Sequence, residues 1–151
     1  MRSSLLLLAF VSLPTLACPN LSGNYKACHS SSDPELATEI YVSQKVVNKY
    51  VQYTFTHRDI QINSDRVEKY TADGLLKVAS DTDTDTGITI KTETQASCSG
   101  TTALNIKMKA TLDNEEFANV TIKATKVGNK LVQVFSGTSM GEEVNDTIIC
   151  E

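Results

Sequence analysis

Apolar side chains recur at every second position along most of this chain, and that period constrains the fold more than any other feature. Leu104, Ile106, Met108, Ala110 and Leu112 point one way, while Asn105, Lys107, Lys109 and Thr111 point the other. Val51, Tyr53 and Phe55 alternate with Gln52, Thr54 and Thr56; Ala118, Val120, Ile122 and Ala124 alternate with Asn119, Thr121, Lys123 and Thr125. Ile40 and Val42 repeat the pattern earlier in the chain. A period of two is the signature of a half-buried β-strand, and the abundant Thr, Val and Ile suit a pleated surface.

Turn chemistry separates these runs at Asn48-Lys49, Asn63-Ser64-Asp65, Asp73-Gly74, Ser99-Gly100, Asp113-Asn114 and Gly128-Asn129. The runs themselves fall near 22–29, 38–47, 50–57, 59–63, 66–72, 75–80, 87–96, 102–112, 116–127, 130–137 and 144–150, some of which must merge. The one helical candidate is a single turn over Ser31–Ala37, with Asp33 as N-cap and Pro34 at the first helical position. Short connections favour antiparallel hairpins, because parallel strands need long crossovers. A long up-and-down meander exposes two edges unless it closes on itself. The expected fold is therefore all-β: an antiparallel meander of about 8 to 10 strands closing into a small β-barrel, with a β-sandwich as the alternative. Its inward face would carry Val51, Tyr53, Phe55, Leu104, Ile106, Met108, Val120 and Ile122.

The N-terminus reads as an export signal. Arg2 supplies the positive region, Leu5 to Val11 the apolar region, and Thr15-Leu16-Ala17 the small-residue cleavage pattern. The apolar run is too short to span a bilayer, which takes roughly 20 residues. We divide the chain into a signal peptide, 1–17, and one domain, 18–151, secreted or periplasmic and without a transmembrane segment. A cysteine at the cleavage point offers the alternative of lipid anchoring through Cys18. Four cysteines, Cys18, Cys28, Cys98 and Cys150, make two bridges in an oxidising compartment. In an alternating meander Cys98 and Cys150 end their strands on the same side, so they are the preferred pair, and Cys18–Cys28 follows by exclusion. No pair has the close spacing of a zinc site.

Other chemistry is excluded or left without support. A net charge of −4 and the absence of Trp argue against nucleic acid as a partner. Asp81, Asp83 and Asp85 resemble a calcium loop, but Thr86 and Thr92 stand where an EF-hand needs Gly and Glu; the run reads as a solvated hairpin loop. His57, beside Arg58 and Asp59, reads as part of a surface turn. No nucleophile elbow, zincin or phosphate-loop motif occurs, so neither an enzyme, a metal site nor a cofactor is expected.

The stretch Leu21-Ser22-Gly23-Asn24-Tyr25, opening the first strand, resembles the N-terminal signature of the lipocalin and avidin (calycin) barrels. That resemblance implies an up-and-down barrel in which Gly23 lets the chain enter the floor and Tyr25 plugs it. Tyr25 stands where those families carry Trp, so avidin's biotin site is not carried over. The function the resemblance implies is an exported carrier of a small apolar ligand held in the barrel interior. The alternative is an exported structural or interaction module with a solid β core. The sequence identifies no protein partner.

Overall fold

A computed structural model of the chain describes residues 17–33, 38–84 and 86–151. All but the last residue of the expected signal peptide, 1–17, and most of the expected helical turn lie outside them. Eleven strands are present among the described residues, every pairing antiparallel. The first five are β1 (Gly23–Tyr25), β2 (His29–Ser30), β3 (Thr38–Val47), β4 (Tyr50–Asp59) and β5 (Ser64–Thr71). The rest are β6 (Leu76–Thr82), β7 (Thr89–Ser99), β8 (Ala103–Leu112), β9 (Glu115–Val127), β10 (Lys130–Ser139) and β11 (Glu142–Cys150). Strands β1-β3-β4-β5 form one sheet; β2-β11-β10-β9-β8-β7-β6 form the other.

Local turn conformations explain the hairpins. Both central residues have positive φ at Asn48/Lys49 (47° and 68°), Asp113/Asn114 (49° and 70°) and Met140/Gly141 (53° and 80°). Such turns match the right-handed twist of the flanking strands. Asn and Asp tolerate that region, so the first two turns are legible in sequence, whereas Met140 gives no such signal. The strand expected over 59–63 is instead largely a turn: the Asp59 carboxylate accepts the backbone N–H groups of Gln61 and Ile62 at 2.9 and 3.2 Å and bends the chain. The alternation of Ile60 and Ile62 misleads, since both are exposed.

The run expected over 22–29 splits between the two sheets. Gly23–Tyr25 pairs with β3, and His29 and Ser30 pair with β11. The kink falls at Ala27, whose φ of 44° is unusual for a residue with a Cβ. Lys26 and Glu151 exchange backbone hydrogen bonds of 2.7 and 3.1 Å beside it. The start of the chain thus links its last strand to β3. On the opposite side β5 and β6 share no ladder; only the corner 72–74 crosses, with Ala72 N–H donating to Val51 O and Gly74 N–H to Ala96 O, both at 2.9 Å. The meander is therefore two antiparallel sheets rather than a barrel closed by hydrogen bonds, and the sandwich alternative fits it.

A single core lies between the sheets. Leu21, Tyr25, Ile40, Val42, Tyr53 and Phe55 meet Ala96, Leu104, Ile106, Ile122, Ala124 and Leu131, all buried. Fully burying side chains of this kind contributes about 1.5–3 kcal/mol each. The bridges differ from the expected pairing. Cys18 joins Cys98 (Cα–Cα 5.2 Å) and Cys28 joins Cys150 (4.0 Å). Strands β8, β9 and β10 separate the strands carrying Cys98 and Cys150, a distance of roughly 19 Å along a sheet at ~4.8 Å per step. Because the kinked first strand returns beside β11, Cys28 is the cysteine that reaches Cys150.

Candidate functional site

Strand parity sends Val51, Tyr53, Phe55 and His57 of β4 to the face that looks into the inter-sheet space. On β5 the same face carries Arg66, Glu68 and Tyr70, which lie opposite His57, Phe55 and Tyr53 in the ladder. This inner face is apolar at one end and polar at the other. His57 is therefore not part of a surface turn: its side chain is 16% exposed and its ring stacks on Phe55 at 6.3 Å between centroids. Phe55 in turn meets the edge of Tyr70 at 5.9 Å.

Glu68 is the hub of the polar end. Tyr70 Oη donates to its Oε2 at 2.7 Å, and Arg66 Nη2 lies 3.1 Å from Oε1. His57 Nε2 stands 3.6 Å from Oε2, beyond hydrogen-bond length, and this buried nitrogen has no hydrogen-bond partner. The imidazole first, and then the Tyr70 hydroxyl and the Arg66 guanidinium, hold the Glu68 carboxyl down at about 2 against the opposing effect of burial. Burial and the neighbouring carboxylate raise the Tyr70 phenol far above its ordinary value, so it stays a donor. Asp146 on β11 is lowered likewise, by neutral donors. Burial opposes its ionisation, but the hydroxyls of Ser31 and Ser30 and the backbone of Ser32 bring its carboxyl to about 2.

An open cleft of about 370 Å³ lies at this end, lined by Thr38, Ile40, His57, Asp59, Ile62, Ser64 and Arg66 from one side and Ile148 of β11 from the other. It offers a guanidinium, an imidazole, a carboxylate and two hydroxyls over an apolar base. That set can hold a ligand carrying both donors and acceptors. No cluster of three or more His, Cys, Asp or Glu able to hold a metal occurs among the described residues.

The residues expected to line an interior cavity are all in or against the core. Tyr53, Phe55, Leu104, Ile106 and Ile122 are buried within it; Val51, Met108 and Val120 pack on it. None lines the cleft above or a second one of about 200 Å³ between β5 and the β6–β7 pair. Tyr53 Oη donates to Pro19 O at 2.7 Å, and burial pushes its phenol up to about 12. Tyr25 is buried, its hydroxyl donating to Leu21 O at 2.9 Å. Its ring lies over Gly23, where a Cβ would stand 2.7 Å from the ring, so the Gly-x-Tyr spacing has a local steric reason. Of the acidic run, Asp81 lies within β6 and Asp83 in the β6–β7 connection, where its Oδ1 accepts the Thr86 N–H at 2.8 Å; Asp85 lies outside the described residues.

No protein-family model, curated protein or solved structure matches this chain. Among the described residues no helix is long and apolar enough to cross a membrane. The two disulfides suit an oxidising extracellular or periplasmic environment. Sequence reasoning missed Arg66, Glu68, Tyr70 and Asp146. For the first three the signal was available, because extending the period of two from Phe55 and Tyr70 places His57, Glu68 and Arg66 on the inner face.

Proposed function

We propose that this is an exported binding protein that holds a small polar ligand at the open end of its inter-sheet space. The carrying observation is the cleft of about 370 Å³, where the guanidinium of Arg66, the carboxylate of Asp59 and the hydroxyls of Thr38 and Ser64 converge beside the His57 ring. His57 Nε2 faces Glu68 Oε2 at 3.6 Å and is itself closed to solvent, so the ring walls the cleft and helps to hold the Glu68 carboxylate beneath it. Arg66, 73% exposed, supplies a guanidinium at the mouth, while Asp59 limits how much negative charge the ligand can carry. The reading moves the ligand from the apolar interior, which the resemblance to calycins implied, to the polar end.

NMR titration with a panel of small amino acids, hydroxy acids and sugars tests it. Shifts centred on His57, Arg66 and Ile148, abolished in His57→Ala, are expected; a panel that moves none of these resonances would sink the proposal. The second reading, an exported module with a solid core, is favoured by the packing of all eight inward apolar side chains against one another. Pull-down of a stoichiometric partner by protein whose His57→Ala form binds it equally would favour that reading.

A further inference from the structure

We propose that β6 is a self-association edge, pairing antiparallel with β6 of a second copy about a two-fold axis at Ala79. β6 ends the seven-stranded sheet, and all seven of its residues are exposed. It contains neither proline nor glycine to blunt it. The edge of the other sheet, β5, is by contrast guarded by Asp65, Arg66, Glu68 and Lys69. Asp83 N–H donates to Ile88 O at 2.9 Å in register with the β6–β7 ladder. The alternation of an antiparallel ladder then turns the backbone groups of Leu76, Val78, Ser80 and Thr82 to the free edge.

Charge selects the register. A two-fold at Ala79 sets Lys77 opposite Asp81 of the second copy, twice, on the inner face. It sets Leu76 opposite Thr82 and Val78 opposite Ser80 on the outer face, which are the residues whose backbone groups are free. Among the described residues Asp81 has no ion-pair partner, and Lys77 reaches Asp73 at 3.2 Å with half of its side chain still exposed. A register centred on Val78 sets Lys77 opposite Ala79 and loses the charge match; one centred on Ser80 sets Lys77 opposite Asp83, whose carboxylate already accepts the Thr86 N–H. Exposed apolar side chains flank this edge on both faces, Leu76 and Val78 on the outer one and Ile88, Ile90 and Leu112 on the inner one. A second copy laid along β6 covers part of them. This inference is independent of the ligand reading above.

Sedimentation velocity over a dilution series tests it. The wild-type chain should dissociate from dimer to monomer on dilution. Val78→Pro removes an N–H that faces away from β7, so it should be monomeric with an unchanged far-UV circular dichroism spectrum. Asp81→Lys and Lys77→Asp should each be monomeric alone, since like charges then face across the axis, and an equimolar mixture should restore the dimer. A wild-type chain that stays monomeric up to its solubility limit overturns the proposal, as does a dimer that survives Val78→Pro. Folded single variants that fail to associate on mixing overturn it too.

Discussion

Glu68 shows how one carboxylate ties the polar end of the inner face to acid stability. Its carboxyl is held near 2, below the ordinary 4.5, chiefly by His57, then by Tyr70 and Arg66. In the unfolded chain Glu68 takes up its proton first as the pH falls. Its contribution is therefore complete above pH 4.5 and disappears as the pH drops toward 2. Urea unfolding of Glu68→Gln across that window should give a shallower pH slope than wild type, with residual slope from Asp146, whose carboxyl is depressed likewise. Equal slopes would show that Glu68 is not the coupled group. Gly137 is the second decisive residue. Its φ is 144°, and a Cβ there would stand 2.0 Å from Asn119 O on the neighbouring strand. Gly137→Ala must push β9 and β10 apart and should cost about 3 kcal/mol or more, read from the urea midpoint. A loss within about 0.5 kcal/mol would contradict the register.

At the scale of elements, the kinked first strand does more than its length suggests. β1 and β2 have three and two residues, yet they bridge β3 to β11, and the Cys28–Cys150 bond fixes that bridge over 122 residues of chain. Replacing both cysteines by serine should lower stability by about 2–5 kcal/mol, because the loop it closes is long. Native-state hydrogen exchange should then show β11 and β2 opening before the β7–β9 ladder; unchanged protection at β11 would assign the stability elsewhere. The β10–β11 turn is a smaller test. Met140 is 81% exposed at a positive φ beside Gly141. Met140→Asn creates the Asn-Gly pair preferred in such turns and should raise the thermal midpoint, by about 0.5–1 kcal/mol in stability. A lower midpoint would mean that the Met140 side chain makes contacts the exposed turn does not show.

For the whole molecule, the filled core argues against an apolar ligand between the sheets. With Tyr53, Phe55, Leu104 and Ile106 at most 1% exposed, the middle of the inter-sheet space is occupied by side chains. Fluorescent fatty acids should consequently show no saturable binding, and saturable binding at a one-to-one ratio would require the sheets to part. The Cys18–Cys98 bond bears on lipid anchoring at this scale as well. Its sulfur is bonded to Cys98, so a lipid thioether on Cys18 and this fold exclude each other. Intact mass of the mature protein should show two bridges and no acyl chain.

The period of two, with its Asn, Asp and Gly turns, determined by itself the all-β antiparallel character and the placement of most strands. The reason is local: alternation fixes which face each residue shares, and turn residues fix where direction reverses. The same parity held the clue to His57, Arg66 and Glu68, although the flanking charges of Arg58 and Asp59 drew the eye to a surface turn. Tertiary structure alone decided the rest. Which cysteines meet depends on the strand that returns beside β11, and a kink at an ordinary alanine leaves no mark in the sequence. Whether the meander closes depends on β5 and β6 finding each other across the 72–74 corner, which bonds to β4 on one side and β7 on the other while no ladder joins β5 to β6. Distances between strands far apart in the chain are set by how the sheets twist and stack, and no local pattern encodes them.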